Sequence, residues 1–189
     1  MAGRVENSIE VDAPIGEVFA FVDDYRNATR FIVGMKVYKP LTKQVSGKGS
    51  KFHFVKKTSG LPDIKSDVVC TVWAKDKQVV TESFAGFDNT GHYTFVSKGG
   101  KTTVKAVSTF ELASLVGGGR GGILGGIGKA VGGVASRAAE GQVRKDLAKS
   151  MENLRDLIEA GRKTAAPRKP KGSPANKARA SAKKAVNRK

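Results

Sequence analysis

Cysteine and histidine are scarce in this chain of 189 residues, which contains Cys70, His53 and His92 and no others. A single cysteine cannot form an internal disulfide, and one cysteine with two histidines cannot supply the four ligands of a Cys/His zinc site. We therefore expect a reducing compartment, with no disulfide framework, no metal and no cofactor.

Long apolar runs are also missing. A transmembrane helix needs about 18 or more uninterrupted apolar residues, and the best candidate, residues 112–136, is broken by Arg120 and Lys129 and diluted by glycine. Residues 1–12 lack the apolar core of a secretory signal. These absences predict a cytoplasmic protein without a transmembrane segment.

Acidic and aromatic residues are absent from the C-terminal segment 162–189, which holds 11 of the 34 Lys and Arg residues. Subtracting these eleven charges from the net charge of +17 leaves +6 for residues 1–161. A segment of this composition cannot bury enough apolar surface to offset its ordering entropy. We therefore predict one folded domain over residues 1–161 and a disordered tail, rich in Lys, Ala and Pro, over residues 162–189.

The basic tail is of the low-complexity kind that binds polyanions through counterion release, with little sequence preference. Nucleic acid and an anionic membrane surface are the partners predicted for it, and the alternative is a solubilising tail without a dedicated partner. The candidate contact residues are Lys163, Arg168, Lys169, Lys171, Lys177, Arg179, Lys183, Lys184, Arg188 and Lys189.

The sequence pattern of residues 4–113 predicts many short helices and strands. Residues 4–12 alternate in the manner of a half-buried strand. Pro14 suits the first turn of a helix that continues through Val22, and a second short helix or turn is predicted over residues 25–31. Six further β-rich runs, separated by glycine, lysine and aspartate turns, indicate an antiparallel meander. Their predicted bounds are 36–42, 51–57, 65–74, 78–85, 91–96 and 102–113.

A long amphipathic helix is predicted in the C-terminal half, because apolar residues recur there at intervals of three and four while the opposite face is charged. Such a stripe is expected to lie on an apolar surface, and the curved sheet is the natural one. The residues of the stripe are Val143, Leu147, Met151, Leu154 and Ile158.

The segments IEVDAP (9–14) and VFAFVDD (18–24), together with this order of elements, resemble the START-like, polyketide cyclase/dehydrase superfamily, SRPBCC, over residues 4–160. The resemblance implies an α+β helix-grip fold. In that fold a seven-stranded antiparallel sheet curves around a long C-terminal helix, and two short helices follow the first strand. Members enclose a hydrophobic cavity between sheet and helix for lipids, sterols, polyketides or quinones, and a few are cyclases or dehydratases.

The resemblance implies a ligand cavity lined by the sheet face that opposes the long helix. We expect Phe31 at its entrance, and Tyr93 and Arg30 in polar contact with a ligand oxygen. The alternative is that the aromatic candidates simply fill a core. The full candidate set is Arg30, Phe31, Phe52, Phe54, Val72, Tyr93, Phe95 and Phe110.

Residues suited to catalysis are few. His53 and His92 alternate with aromatic neighbours along their strands, so we expect both to point away from the cavity. Cys70 is interpreted as a small apolar strand residue rather than as a nucleophile. The catalytic residues of an enzyme built on this chain therefore stay unknown.

A glycine-rich segment precedes the long helix, and residues 117–122 match the pattern G-x-G-x-x-G of dinucleotide sites. No strand ending in a ribose-binding acid follows the helix, as a βαβ unit requires. We interpret residues 117–133 instead as a flexible flap that gates the cavity.

Three functions remain open from the sequence. The first is binding or transport of a hydrophobic small molecule such as a lipid, a quinone or a polyketide-like compound. The second is a polyketide cyclase or dehydratase that acts on such a molecule. The third is binding of nucleic acid or anionic membrane through the basic tail.

Overall fold

A computed structural model describes residues 2–59, 63–111 and 128–165, which form one antiparallel sheet, two short α-helices and one long α-helix. A 3-10 turn over Tyr25–Asn27 joins the two short helices. The strands are β1 (Ala2–Val11), β2 (Met35–Pro40), β3 (Lys51–Lys56), β4 (Ile64–Ala74), β5 (Gln78–Gly86), β6 (Asn89–Lys98) and β7 (Lys101–Glu111). The helices are α1 (Ile15–Asp23), α2 (Ala28–Phe31) and α3 (Gly128–Ala165).

The seven strands form one sheet in the order β1-β7-β6-β5-β4-β3-β2. Strands β2 to β7 follow one another as a meander, and β1 adds to the far edge by pairing antiparallel with β7. All six predicted meander strands occur, and β6 is longer at both ends than the predicted 91–96. The sheet curves around α3, which confirms the predicted helix-grip fold.

Turns in this sheet use glycine where the backbone requires it. Gly99 and Gly100 connect β6 to β7 with φ values of 60° and 81°, a region that residues with a Cβ rarely adopt. Gly34, between α2 and β2, has φ 75° and accepts a hydrogen bond from the backbone N–H of Lys57 at 2.8 Å. A side chain at position 34 would collide with the carbonyl oxygen of Lys57, so this close approach needs glycine.

The main hydrophobic core lies between α3, α1 and the end of the sheet formed by β1, β7 and β6. Met151 and Leu154 of α3 are fully buried in it, as their spacing predicts. Phe19 of α1 packs edge-on against Trp73 and Phe95, with ring centroids 5.5 and 5.2 Å apart. Edge-to-face aromatic pairs of this kind add to the stabilisation from buried area.

A second cluster of buried residues lies toward the other edge of the sheet, around β3 and β4. Its buried members are Phe52, Phe54, Ile64 and Val68. Residues of both clusters line the cavity described below. The interior between the two clusters is therefore incompletely filled.

Helix α3 extends into the predicted flap 117–133 at one end and beyond the predicted domain boundary at residue 161 at the other. Residues 128–133, predicted as part of a flexible flap, are helical, because each residue added to an existing helix gains a backbone hydrogen bond that offsets the cost of its glycines. Residues 117–127 of that flap lie outside the described residues. At the other end α3 runs to Ala165, and Arg162 Nη1 donates to Glu17 Oε2 at 2.9 Å. Residues 166–189 of the predicted tail are also outside the described part.

Among the helices of the described ranges, none has the length and hydrophobicity needed to cross a membrane.

Candidate functional site

A cavity of about 200 Å³ lies between the sheet, the helical segment that follows β1, and α3. Most of its walls are apolar side chains, and six of the seven strands contribute to it. The described residues that line it are Val22, Asp23, Tyr25, Ala28, Phe31, Ile32, Met35, Tyr38, Val45, Ser50, Phe52, Phe54, Lys56, Val68, Cys70, Val79, Thr81, Asn89, Gly91, Tyr93, Ala106, Val107, Ser108, Val143, Leu147 and Ser150.

Small residues on neighbouring strands make the floor of the cavity. Cys70 pairs with Thr81, Thr81 with Gly91, and Gly91 with Ser108, so the four lie in one row across β4 to β7. All four line the cavity. Because none of them carries a large side chain, the row leaves space above the sheet that larger residues would fill. The sequence signal is Gly91 inside a strand, which often marks a close approach.

Aromatic side chains form much of the wall. Tyr38 stacks on Phe52 with ring centroids 5.1 Å apart, and Tyr25 lies 6.0 Å from the same ring. Of the eight residues that the sequence suggests for the cavity, four line it: Phe31, Phe52, Phe54 and Tyr93. Phe31 is only 2% exposed, so it is part of the inner wall and not of the entrance as expected.

The other four predicted residues lie outside the lining. Arg30 is exposed, donates to Asn27 Oδ1 at 2.7 Å and packs over the ring of Phe21. Phe95 and Phe110 are buried, and they fill the core beside Phe19 and Phe87.

Val72 departs from the prediction because of a β-bulge. Along β4, alternate residues are buried from Ile64 to Cys70, and the register with β5 then shifts between Cys70 and Val72. The extra residue reverses the alternation, so that Trp73 packs against the main core and Val72 is 38% exposed. A regular period of two, as assumed from the sequence, cannot reveal this change.

The two histidines do not line the cavity. His53 Nδ1 lies 2.6 Å from Asp67 Oδ1 on the adjacent strand, and His92 Nε2 lies 3.2 Å from Gln78 Oε1. Both rings therefore have polar partners away from the cavity.

The hydroxyls of Tyr38 and Tyr93 and the thiol of Cys70 hold their protons tightly. Burial raises the pKa of Tyr93 to about 12, and burial with the neighbouring Tyr93 and Cys70 raises the pKa of Tyr38 further. Burial also raises the pKa of the Cys70 thiol. Neither tyrosine hydroxyl is hydrogen-bonded to any residue in the described ranges. Both can therefore donate to an oxygen of a bound molecule at neutral pH.

Asp23, at the end of α1, is a carboxylate in the lining that is already hydrogen-bonded. Its Oδ1 accepts from Trp73 Nε1 at 2.8 Å, and its Oδ2 accepts from Ser46 Oγ at 2.6 Å. These bonds attach the β2–β3 loop to α1. Val45 in this loop lines the cavity and is 41% exposed, so the loop forms part of the rim where the cavity meets solvent.

A largely buried ion pair on the side of the cavity next to α3 is not among the candidates predicted from the sequence. Lys56 Nζ lies 3.8 Å from Asp146 Oδ2, and the two side chains are 18% and 7% exposed. Burial lowers the pKa of Lys56, and the charge of Asp146 opposes this effect. The sequence pattern could have indicated both residues. Lys56 follows Phe52 and Phe54 at intervals of two residues along β3, so it faces the same side of the sheet, and Asp146 lies within the apolar stripe of α3.

Several solved structures share this fold over most of their length. The protein TTHA0849 from Thermus thermophilus aligns with a TM-score of 0.67 at 16% identity, covering 84% of this chain and 98% of its own. A START superfamily protein from Mycobacterium smegmatis aligns with a TM-score of 0.61 at 15% identity, covering 82% of this chain and 99% of its own. The Zhui aromatase/cyclase from Streptomyces sp. R1128 aligns with a TM-score of 0.61 at 12% identity, covering 88% of this chain and 98% of its own. At these identities the likeness shows the fold alone.

No curated protein matches the chain by sequence. A family model does, and it is described as polyketide cyclase/dehydrase and lipid transport; the match runs over residues 2–159. It spans all seven strands, both short helices and most of α3. The chain therefore belongs to the polyketide cyclase/dehydrase and lipid transport family, within the START-like SRPBCC superfamily.

Proposed function

We propose that the protein binds or transports a hydrophobic small molecule, such as a lipid, a quinone or a polyketide-like compound, in the cavity between the sheet and α3. The observation that carries this proposal is the row of small residues Cys70, Thr81, Gly91 and Ser108. This row leaves a mostly apolar space of about 200 Å³ in a fold that otherwise packs two complete clusters. Empty apolar cavities of comparable size bind apolar molecules such as benzene.

Affinity for such a molecule would come mainly from apolar contact. Each Å² of apolar surface removed from water stabilises the complex by about 25 cal/mol. The hydroxyls of Tyr38 and Tyr93 would add direction, because each can donate to a ligand oxygen without giving up a bond to the described residues. Few polar contacts are needed for useful affinity in a site of this kind.

Binding is better supported than catalysis. A cyclase or dehydratase needs a positioned acid or base, but Tyr93 holds its proton with a pKa of about 12 and Asp23 is occupied by Trp73 and Ser46. Arg30, which the sequence suggests as a polar contact, lies outside the cavity. The similarity to an aromatase/cyclase keeps the enzyme as the alternative function of the same cavity.

The proposal predicts that protein purified gently from its own host carries a bound small molecule. Native mass spectrometry is expected to show a complex of one protein with one ligand, and extraction under denaturing conditions would identify that ligand. The free protein should also bind the apolar dye 1-N-phenylnaphthylamine with enhanced fluorescence, with one part of the dye inside the cavity and the rest at the open rim around Val45. Protein that is empty as isolated and binds no apolar dye would contradict the proposed function.

We also propose that the basic segment 162–189 binds a polyanion, which is either nucleic acid or an anionic membrane surface. Removal of residues 166–189 deletes nine Lys and Arg residues and keeps the ion pair between Arg162 and Glu17. We expect this truncation to abolish retention on duplex DNA, and the affinity of the full chain to fall steeply with salt. A full-length variant with these nine residues changed to Gln is the matched control.

The outcome of that comparison is clear in either direction. Equal loss in the truncated and the Gln variants would support the electrostatic proposal, and vesicles with and without anionic lipid would distinguish a membrane partner from DNA. Unchanged DNA and vesicle binding after truncation would refute a role for the tail.

A further inference from the structure

The ion pair of Lys56 and Asp146 lies where the strand β3 faces α3. Lys56 lines the cavity, whereas Asp146 does not, and Asp146 Oδ2 is buried. Lys56 follows Phe54 by two residues on β3, so both side chains lie on the face of the strand that lines the cavity. The lysine is therefore the charged group of this pair that a bound molecule would meet.

Hydrogen bonding at this pair is incomplete. The separation of 3.8 Å between Lys56 Nζ and Asp146 Oδ2 is beyond hydrogen-bonding distance, and Nζ donates no hydrogen bond to any residue that the structure describes. Asp146 is held elsewhere, since its Oδ1 accepts from Gln142 Nε2 at 2.8 Å. The nearby Ser150 hydroxyl is occupied as well, because it accepts from Val33 N and donates to the Asp146 carbonyl. The Lys56 side chain is 18% exposed, so its ammonium is only partly hydrated, and its unused donors are costly unless an acceptor reaches them.

We propose that Lys56 and Asp146 form a subsite for a neutral oxygen acceptor of the molecule in the cavity, such as a ketone or ester carbonyl, and that the pair disfavours a carboxylate. This inference rests on the proposed function, since it names the chemistry of one end of the ligand. Lys56 Nζ is the donor to the ligand oxygen, and Asp146 is the charge that offsets the lysine.

The preference for a neutral group follows from the charges. The ammonium of Lys56 and the carboxylate of Asp146 already sum to zero in a mostly apolar region. A ligand carboxylate would leave a net charge of −1 buried there, and burial of an uncompensated charge is strongly unfavourable. A carbonyl oxygen accepts from Nζ without changing the sum. Asp146 Oδ2 is not accessible from the cavity, so it cannot accept a hydrogen bond from a ligand that has only donor groups.

The experiment compares 2-decanone with decanoate, which is ionised at pH 7, as competitors of 1-N-phenylnaphthylamine. Wild-type protein is expected to bind the ketone at least tenfold more tightly than the acid. In Asp146→Asn, the amide oxygen can still accept from Gln142 while the compensating charge is gone, so decanoate should gain at least tenfold relative to 2-decanone. The exposed Asp156→Asn is the matched control and should leave the ratio unchanged.

The double variant Lys56→Met/Asp146→Asn removes both charges and leaves none unpaired. It is expected to retain dye binding, to lose several-fold in affinity for the ketone, and to give a second test if Asp146→Asn folds poorly. Displacement of the dye by both probes, with a ketone-to-acid ratio that neither variant changes, would overturn the subsite and leave the proposed function standing. Absence of dye binding in wild-type protein would overturn both.

Discussion

Replacement of Ser108 by Phe is expected to abolish binding of apolar molecules while the fold is kept. Ser108 lies in the floor of the cavity next to Gly91, which has no side chain to compete for the space. A cavity of about 150 Å³ can accommodate benzene, so one benzyl group would occupy much of the roughly 200 Å³ present here. We expect the affinity for 1-N-phenylnaphthylamine to fall at least about 30-fold, equivalent to ~2 kcal/mol of lost apolar contact.

The stability of this variant separates filling of the cavity from damage to the core. Because the new ring enters space that already exists, the free energy of unfolding should be unchanged or raised by about 0.5–2 kcal/mol. Ser97→Phe, at an exposed position of β6, makes the same chemical change outside the cavity and should leave dye binding as in wild type. Full dye affinity in a folded Ser108→Phe protein would mean that the dye binds elsewhere.

Replacement of Leu154 by Ala is expected to lower the free energy of unfolding by about 2–5 kcal/mol. Leu154 is fully buried in the main core, between α3 and the sheet. Its truncation removes contacts and leaves a void that the surrounding sheet and helix fill only in part. Urea unfolding, followed by the far-ultraviolet circular dichroism of the protein, measures this loss.

Leu41→Ala makes the same change at a position that is 46% exposed, and should cost less than about 0.5 kcal/mol. Equal losses in the two variants would show that α3 does not anchor the core through Leu154. A loss in the expected range, with dye binding retained below the unfolding transition, would show that Leu154 stabilises the α3 core without being needed for the cavity to bind the dye.

Most of the fold could be predicted because its elements have strong local patterns. The strands of the meander are separated by turn residues with clear preferences, such as Gly99 and Gly100, and the stripe of α3 that includes Met151 and Leu154 is periodic. The first residues of α3 were harder to predict. Glycine disfavours a helix on local grounds, whereas growth of an existing helix extends it back to Gly128.

The candidate site could be predicted only in part, because large apolar side chains are what marks an apolar pocket in a sequence. Phe52 and Phe54 line the cavity, whereas Phe95 lies in the main core and Phe110 is buried outside the lining. An aromatic residue on the inner face of a strand is equally suited to a core and to a cavity wall. Which of the two it joins depends on the residues opposite it.

The order of the elements, the apolar face of α3 and the uneven distribution of charge follow from the amino-acid sequence alone, because each depends on residues close together in the chain. The position of the cavity depends on the packing of distant elements. The floor of the cavity needs Cys70, Thr81, Gly91 and Ser108 in register across four strands. The pair of Lys56 and Asp146 needs a strand and a helix from distant parts of the chain. Pairing register and packing set these contacts, and neither leaves a periodic signal in any single segment.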